Sequence, residues 1–223
     1  MNPESDPALR QHAVLLYDED VAEVILGFED LPRTWGDNDF NDWVIRERLR
    51  TVYDANGLVS GCILDGFIAA RGAANSNGFA LRLVDIEGAQ IESATLNING
   101  NSYQKSVENN QTDAVVSLWS NSQTYTQTGE TGKCSLFNTN KQCAQFDPVP
   151  FSFDVKFTNS QLSLNHSALD FFIYRTSDRT LEIHMPEYAQ LTGSILQGLV
   201  QKTIRLIQVN NAISNQQTIC RGL

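Results

Sequence analysis

Apolar and polar residues alternate with a period of two along most of this chain. From Phe151 to Thr158 every odd position is apolar and every even one polar, the pattern of a strand with one buried and one wet face. Trp43, Ile45, Leu49 and Tyr53 share one side of a second such strand, whose other side carries Arg46, Arg48 and Arg50. Asp54-Ala55-Asn56-Gly57 then supplies turn chemistry before a long apolar run from Leu58 to Ala70. Alternation returns at Phe79, Leu81 and Leu83, and again at Leu181, Ile183 and Met185, while Asn99-Gly100 marks a tight hairpin after Ile98. A helical period shows from Ser194 onward, through Leu196, Leu199, Val200 and Ile204, although Thr203 to Val209 fits a strand equally well. Residues 120–147 are polar and rich in Gly, Asn and Thr, and read as a long excursion from the sheet.

Many strands separated by turn signals, with hardly any strand–helix alternation, predict an all-β fold. The expected architecture is an antiparallel β-sandwich, jelly-roll-like, with at most one or two short helices. No internal repeat or linker stands out. The reading is therefore one sandwich domain over residues 21–223, preceded by a lead-in segment of residues 1–20.

Composition adds a sign to this picture. The chain has 223 residues with 16 Lys plus Arg against 26 Asp plus Glu, a formal net charge of −10. That acidity argues against nucleic acid or an anionic lipid surface as the main partner, and no run of 18 apolar residues provides a membrane span. The charge is concentrated. Between Asp18 and Asp42 lie nine acids and one base, Arg33, so this segment carries most of the negative excess. Carboxylates that served solubility alone would be dispersed over the surface.

Two features bear on compartment. The chain has five Lys and 19 Asn, with long Ser/Thr/Gln/Asn stretches, a composition common among secreted bacterial β-proteins. Its four cysteines are Cys62, Cys134, Cys143 and Cys220, and a bridge between Cys134 and Cys143 would staple the polar loop Ser135–Gln142. Four reduced thiols in a cytosolic protein are the alternative. Zinc is disfavoured, since no CxxC pair exists and the histidines lie far from Cys134 and Cys143 in sequence. Met1 to Asp6 has neither a basic nor an apolar stretch of the kind an export signal needs, so a secreted protein is expected to draw its signal from outside this chain.

The densest local signal is Gly27-Phe28-Glu29-Asp30-Leu31-Pro32, a short gap, then Gly36-Asp37-Asn38-Asp39-Phe40-Asn41-Asp42-Trp43. Asp37, Asp39 and Asn41 fall on alternate positions with Asp42 adjacent, and oxygen donors spaced this way can converge on Ca²⁺, which takes six to eight of them. An EF-hand is excluded. With Asp37 as loop position one, the sixth position is Asp42 rather than Gly and the twelfth is Arg48 rather than Glu. Two carboxylates about 6 Å apart repel by roughly 3 kcal/mol at an effective dielectric near 20. Four gathered without compensation would therefore cost on the order of 10 kcal/mol, as much as a domain's whole stability. A divalent cation would offset that cost and link its binding to folding. The plainer alternative is a solvated turn whose Asp and Asn side chains cap their own backbone.

The GFEDLP…DNDFNDWVI pattern resembles the signature of the LruC domain family, bacterial secreted or surface-associated proteins of poorly defined function. Ala69-Ala70-Arg71-Gly72-Ala73 and Asn77-Gly78-Phe79-Ala80-Leu81 are similar to two further segments of that family. Leu181-Glu182-Ile183-His184-Met185-Pro186-Glu187-Tyr188 followed by Leu191-Thr192 is similar to a third. The likeness runs from about Ile25 to Thr192. It departs at Gln190-Leu191, where the family carries proline before the Thr, and at a shorter ending. The acidic motif also resembles calcium-dependent modules of large bacterial adhesins. That likeness implies a Ca²⁺-binding role for Glu29, Asp30, Asp37, Asp39, Asn41 and Asp42.

Other candidate chemistry is sparse. Glu182 and His184, two apart on a strand, project from one face, as part of a ligand site, as a second shell for the cation, or as an ordinary polar face. Asp170 and Asp85 are further candidates to complete a metal shell. Trp35, Trp43 and Trp119 could stack on sugar rings, or serve the core. No nucleophile elbow, zinc helix or phosphate loop is present, and no catalytic residue is assigned. The functional expectation is a non-enzymatic calcium-binding β-sandwich module of a secreted or cell-surface bacterial protein, in adhesion or in carbohydrate or peptide binding. Its rivals are a polysaccharide hydrolase working through paired carboxylates such as Glu182, and a purely structural surface or matrix protein.

Overall fold

A computed structural model describes residues 13–18, 23–31, 39–127, 132–161 and 163–185. These form an all-β, antiparallel sandwich of two sheets. In chain order the strands are β1 (Ala13–Asp18), β2 (Glu23–Phe28), β3 (Trp43–Tyr53), β4 (Val59–Ala70), β5 (Asn77–Leu83) and β6 (Ile91–Ile98). They continue with β7 (Asn101–Lys105), β8 (Ala114–Trp119), β9 (Val149–Gln161), β10 (Leu169–Arg175) and β11 (Asp178–His184). One sheet has seven strands in the order β1-β2-β3-β4-β9-β6-β7, and the other has four in the order β11-β10-β5-β8. Among the described residues the helical segments are three-residue 3-10 turns, such as Gly88–Gln90 and His166–Ala168. No helix among them is long and apolar enough to cross a membrane. The helical period noted from Ser194 lies outside the described residues.

Alternation sets the core. Trp43 and Ile45 of β3, Leu64 and Ile68 of β4, and Phe151, Phe153, Val155 and Phe157 of β9 face inward from the large sheet. They meet Phe79, Leu81 and Leu83 of β5, Leu118 of β8, and Phe171 and Ile173 of β10 from the small one. Aromatic rings concentrate at one end. Phe79 stacks on Phe171 at 5.8 Å and on Trp119 at 5.0 Å, Phe28 meets Phe79 edge-on, and Trp43 and Phe151 meet Trp119 in the same way. Trp43 and Trp119 are therefore core residues, 1% and 2% exposed. This corrects the sugar-platform expectation for both, because no ring face is left open to solvent, and Trp35 lies outside the described residues.

Two further expectations change. Residues 13–18, read as lead-in, form β1, which pairs antiparallel with β2 from Ala13↔Phe28 to Asp18↔Glu23. Tyr53, read as core-facing, is 63% exposed because the register shifts at Val52/Tyr53, where β3 turns into β4. The hairpin turns follow their sequence chemistry: Gly57 takes a left-handed φ of 78°, and Asn99 and Gly100 take 52° and 74°. Inward-facing Glu47 of β3 is fully buried, and its Oε1 lies 2.5 Å from His166 Nε2.

Candidate metal centre

Register builds this site. Phe28, the last residue of β2, pairs with Trp43, the first of β3, and both side chains are locked in the core. The connection between them must therefore leave and return side by side, which sets Glu29 and Asp30 next to Asp42. The Asp30 amide donates to Asp42 Oδ2 at 2.7 Å and fastens the two ends of the loop. One carboxylate oxygen from each of Glu29, Asp30 and Asp42 lies within 4.8 Å of the others. Glu29 is 2% exposed and Asp30 7%.

Residues remote in sequence hold this group against the second sheet. Asn77, at the start of β5, donates its amide to Asp30 Oδ2 at 2.6 Å, and Asn75 approaches Oδ1 at 3.4 Å. Arg175, at the end of β10, donates to the Asp30 carbonyl at 3.3 Å. On the other flank, Gly72 and Ala73 donate backbone N–H groups to the carbonyls of Asn41 and Asp42 at 2.8 and 3.4 Å. Only glycine fits at 72, since a Cβ there would stand 1.9 Å from Asn41 Oδ1. The acidic loop thus bridges both sheets at the aromatic end of the sandwich.

The electrostatics follow from this packing. Burial pushes the Asp42 carboxyl up to about 8 against the lowering effect of the Asp30 N–H, and the Glu29 hydrogen bond and the charges of Asp30 and Glu29 add to the rise. The Asp30 carboxylate accepts from the neutral amides of Asn75 and Asn77, while Arg175 reaches the Asp30 main-chain carbonyl. Asp42 therefore keeps a proton near neutral pH, and three acids so placed could hold a metal ion.

Of the six expected ligands, three converge. Asp39 is exposed and turned onto its own loop, with Oδ1 accepting from the Asn41 backbone N–H at 3.2 Å and Oδ2 accepting from the Asn41 side-chain amide. Local Asx bonding therefore orders Asp39 and Asn41 at the rim, and Asp37 lies outside the described residues. Sequence reasoning missed Asn75, Asn77 and Arg175 as partners of this loop. The Asn77-Gly78-Phe79 and Arg71-Gly72-Ala73 segments stood out by resemblance alone, and their contacts became visible only through the fold.

Residues 57–202 match the model of a family described as a domain of unknown function, DUF4842, over well over half of the chain. The chain belongs to the DUF4842 family. Residues 1–49 are similar to a second domain of unknown function, DUF4114. The boundary between the two matches falls at the tip of the β3–β4 hairpin, so the carboxylates of the site come from the DUF4114-like part and the groups that grip them from the DUF4842 part. No curated protein and no solved structure matches this DUF4842 chain.

The remaining candidates sit elsewhere. In this DUF4842 chain Glu182 and His184 project from the outer face of the small sheet, while the acidic group is held at the inner, core end by Asn77 and Arg175. This corrects the second-shell expectation for the pair, because the thickness of the sheet separates them from the carboxylates. Asp170 bonds His184 Nδ1 at 2.7 Å on the same outer face, and Asp85 takes a left-handed φ of 62° in the turn after β5, its N–H on Asp113. Neither contributes to the acidic group. Cys134 and Cys143 form a disulfide, Cys62 is a buried free thiol, and Cys220 lies outside the described residues. The disulfide loop packs beside the site: Phe137 pairs with Arg71 through backbone bonds in both directions, next to Gly72.

Proposed function

We propose that this chain is a cation-stabilised β-sandwich module of a secreted or cell-surface protein, with Ca²⁺ as the ion that completes the acidic loop. The observation that carries the reading is the convergence of buried Glu29 and Asp30 with half-buried Asp42 at one point where the two sheets meet. The donors are all hard oxygens, which suits Ca²⁺ and disfavours softer metals. Asp39 and Asn41 stand at the rim, and backbone carbonyls or water would supply the rest of a six- to eight-fold shell. The ion would tie β2 and β3 to β5 and β10 and make the sandwich end rigid. The disulfide accords with an oxidising compartment, and such a rigid end would present neighbouring loops to a carbohydrate or peptide in adhesion.

The hydrolase reading draws less support. Glu182 and Asp170 are the closest analogue of a paired-carboxylate site, yet both are buried and both are engaged with the same imidazole, His184. A glycosidic acid and base need an open cleft between them. Calcium titration of the metal-free chain, followed by thermal melting, tests the proposal. A rise in Tm with Ca²⁺ that fails in Asp42→Asn supports it, and an unchanged wild-type Tm at millimolar Ca²⁺ refutes it.

A further inference from the structure

The outer face of the small sheet carries a chain of charged side chains independent of the acidic loop. Ala80, Val115, Phe172 and Tyr174 form a small apolar floor there. His184 lies flat on Phe172, with ring centroids 4.3 Å apart. Its Nδ1 is 2.7 Å from Asp170 Oδ2 and its Nε2 is 3.0 Å from Glu182 Oε2. All three side chains are almost wholly buried, 2%, 0% and 3% exposed for His184, Asp170 and Glu182.

This geometry fixes a proton count. A neutral imidazole has one N–H and one lone pair. With both acids ionised, one of the two contacts would set a lone pair against a carboxylate oxygen at hydrogen-bond distance, in a place without water to relieve it. A second proton removes the conflict. The neighbours decide where it resides. Arg82 of β5 holds its Nε 3.3 Å from Asp170 Oδ2 and 3.6 Å from Asp113 Oδ2. Arg179 of β11 binds Glu182 Oε1 and, at 2.9 Å, Glu108 Oε2, with its guanidinium over the rings of Tyr174 and Phe172. Both arginines favour ionised acids, so the proton belongs on the ring. With an imidazolium, three cations (Arg82, Arg179, His184) face four anions (Asp170, Glu182, Glu108, Asp113), and without it the imbalance doubles.

The strand that depends on this proton is β11. Among the described residues it is an edge strand with β10 as its one neighbour, and its pairing runs from Phe172↔His184 to Arg175↔Asp178 with a register shift between Tyr174 and Arg175. On the inner side Met185 anchors it, with its N–H on the Phe171 carbonyl. On the outer side the attachment runs through Glu182, His184 and Arg179. We propose that His184 is a proton-held latch: as imidazolium it fastens β11 across β10, and loss of its proton at alkaline pH loosens that strand while the rest of the sandwich stays folded.

The acid–base balance agrees in direction at His184 and Glu182, while at Asp170 burial raises the carboxyl against the lowering effects of His184 and Arg82, so Asp170 is the competing seat for the proton. Burial alone would lower the His184 pKa, but its hydrogen bonds to Asp170 and Glu182, and their charges, outweigh burial and hold it above the ordinary 6.5. Burial likewise works to raise Glu182, and His184 and Arg179 keep it below its usual value. A folded-state pKa above the unfolded one means the latch contributes fully below about pH 6.5 and is lost as pH rises through the folded value.

Imidazole ¹⁵N shifts of the full chain between pH 5.5 and 10, with His184 assigned by difference from His184→Gln, read the proton directly. Hydrogen exchange over residues 178–185, corrected for intrinsic pH dependence, reads the strand. Both ring nitrogens should be protonated at pH 7.5, and exchange in β11 should rise at least tenfold as the ring titrates, while exchange in β5 holds steady. Asp170→Asn should move both midpoints to lower pH together. A neutral ring at pH 7.5 overturns the proposal, as does a ring that titrates with β11 exchange unchanged. If either variant fails to fold, His184 is assigned from through-bond correlations in the wild type, whose titration and exchange then decide the matter.

Discussion

Replacing Asp42 by Asn tests the acidic loop most sharply, because it predicts opposite changes in metal-free stability and in the Ca²⁺ increment. Two ionised carboxylates whose oxygens lie within 4.8 Å of each other repel by about 3.5 kcal/mol or more at an effective dielectric of 20. Three such pairs would approach the stability of a whole domain, which is why burial and its neighbours leave Asp42 protonated, with a pKa of about 8. At pH 6.5, without metal, Asp42 is already neutral for most of the time. Asn offers the same carbonyl oxygen to the Asp30 N–H and needs no proton, whereas wild type must take one up on folding because the folded pKa of Asp42 stands above its unfolded value, so metal-free Asp42→Asn should melt above wild type.

The two proteins should differ in their response to Ca²⁺. At a hundred times Kd, one site stabilises the native state by about 2.7 kcal/mol, equivalent to roughly 5–11 °C in Tm for a chain of this length. If Asn raises Kd a hundredfold, the same Ca²⁺ concentration contributes only about 0.4 kcal/mol. The pH dependence has a definite sign. Asp42's folded pKa lies above its unfolded value, so its contribution to the metal-free chain is lost as pH rises through about 8. The Ca²⁺ increment should grow over the same range, since proton and cation compete for one oxygen. Scanning fluorimetry at pH 6.5 and 8.5, with Mg²⁺ as a control, measures all of this. An equal Ca²⁺ shift in both proteins refutes the reasoning, and so does a metal-free Asp42→Asn that melts below wild type.

Two other perturbations have defined outcomes. Reducing the Cys134–Cys143 bridge, which closes a short loop with a sequence separation of 9, should cost about 2–3 kcal/mol, read as a lower denaturant midpoint in reductant. An unchanged midpoint would mean the loop contributes nothing to the unfolding transition. His166→Leu should destabilise by about 3–5 kcal/mol, because it leaves the buried Glu47 carboxylate without its imidazole. Adding Glu47→Leu should recover most of that loss, and a double-mutant cycle that shows simple additivity would contradict the pairing.

The fold was legible in the sequence where one face of a strand is wet. β9 and the first half of β3 alternate cleanly and occupy the large sheet, whose outer side carries Arg46, Ser152 and Asp154. The small sheet is buried on both faces at β8 and β10. Its strands therefore read as short apolar runs, Ala114 to Trp119 and Leu169 to Tyr174, without a period that marks them. The acidic residues were legible as a cluster, but not as a geometry. Spacing favours Asp39 and Asn41 as ligands, yet their cheapest partners are each other. Glu29 and Asp30 join Asp42 through the Phe28↔Trp43 register, and Arg175 reaches Asp30 across 145 positions. No local pattern encodes that contact.

The two family matches meet at a point the fold does not divide. β3 begins in the residues 1–49 match and runs beyond it to Tyr53, β4 lies in the residues 57–202 match, and the two strands pair from Val44↔Ala70 to Tyr53↔Val59. Val24, Leu26, Phe28, Trp43 and Ile45 of the first part sit in one core with Phe79, Leu81 and Phe153 of the second. Removing five such side chains forfeits about 1.5–3 kcal/mol each, or roughly 7–15 kcal/mol, which equals or exceeds the stability of an ordinary domain. It also strips β4 of one of its two neighbours and exposes a long edge. Residues 57–223 expressed alone should therefore lack near-UV circular dichroism and a cooperative melt, and adding residues 1–56 as a separate chain should restore both. A 57–223 fragment that melts like the full chain would show that the second matched part carries its own core, and the acidic loop would then be an attachment to a finished domain rather than the clasp of one sandwich.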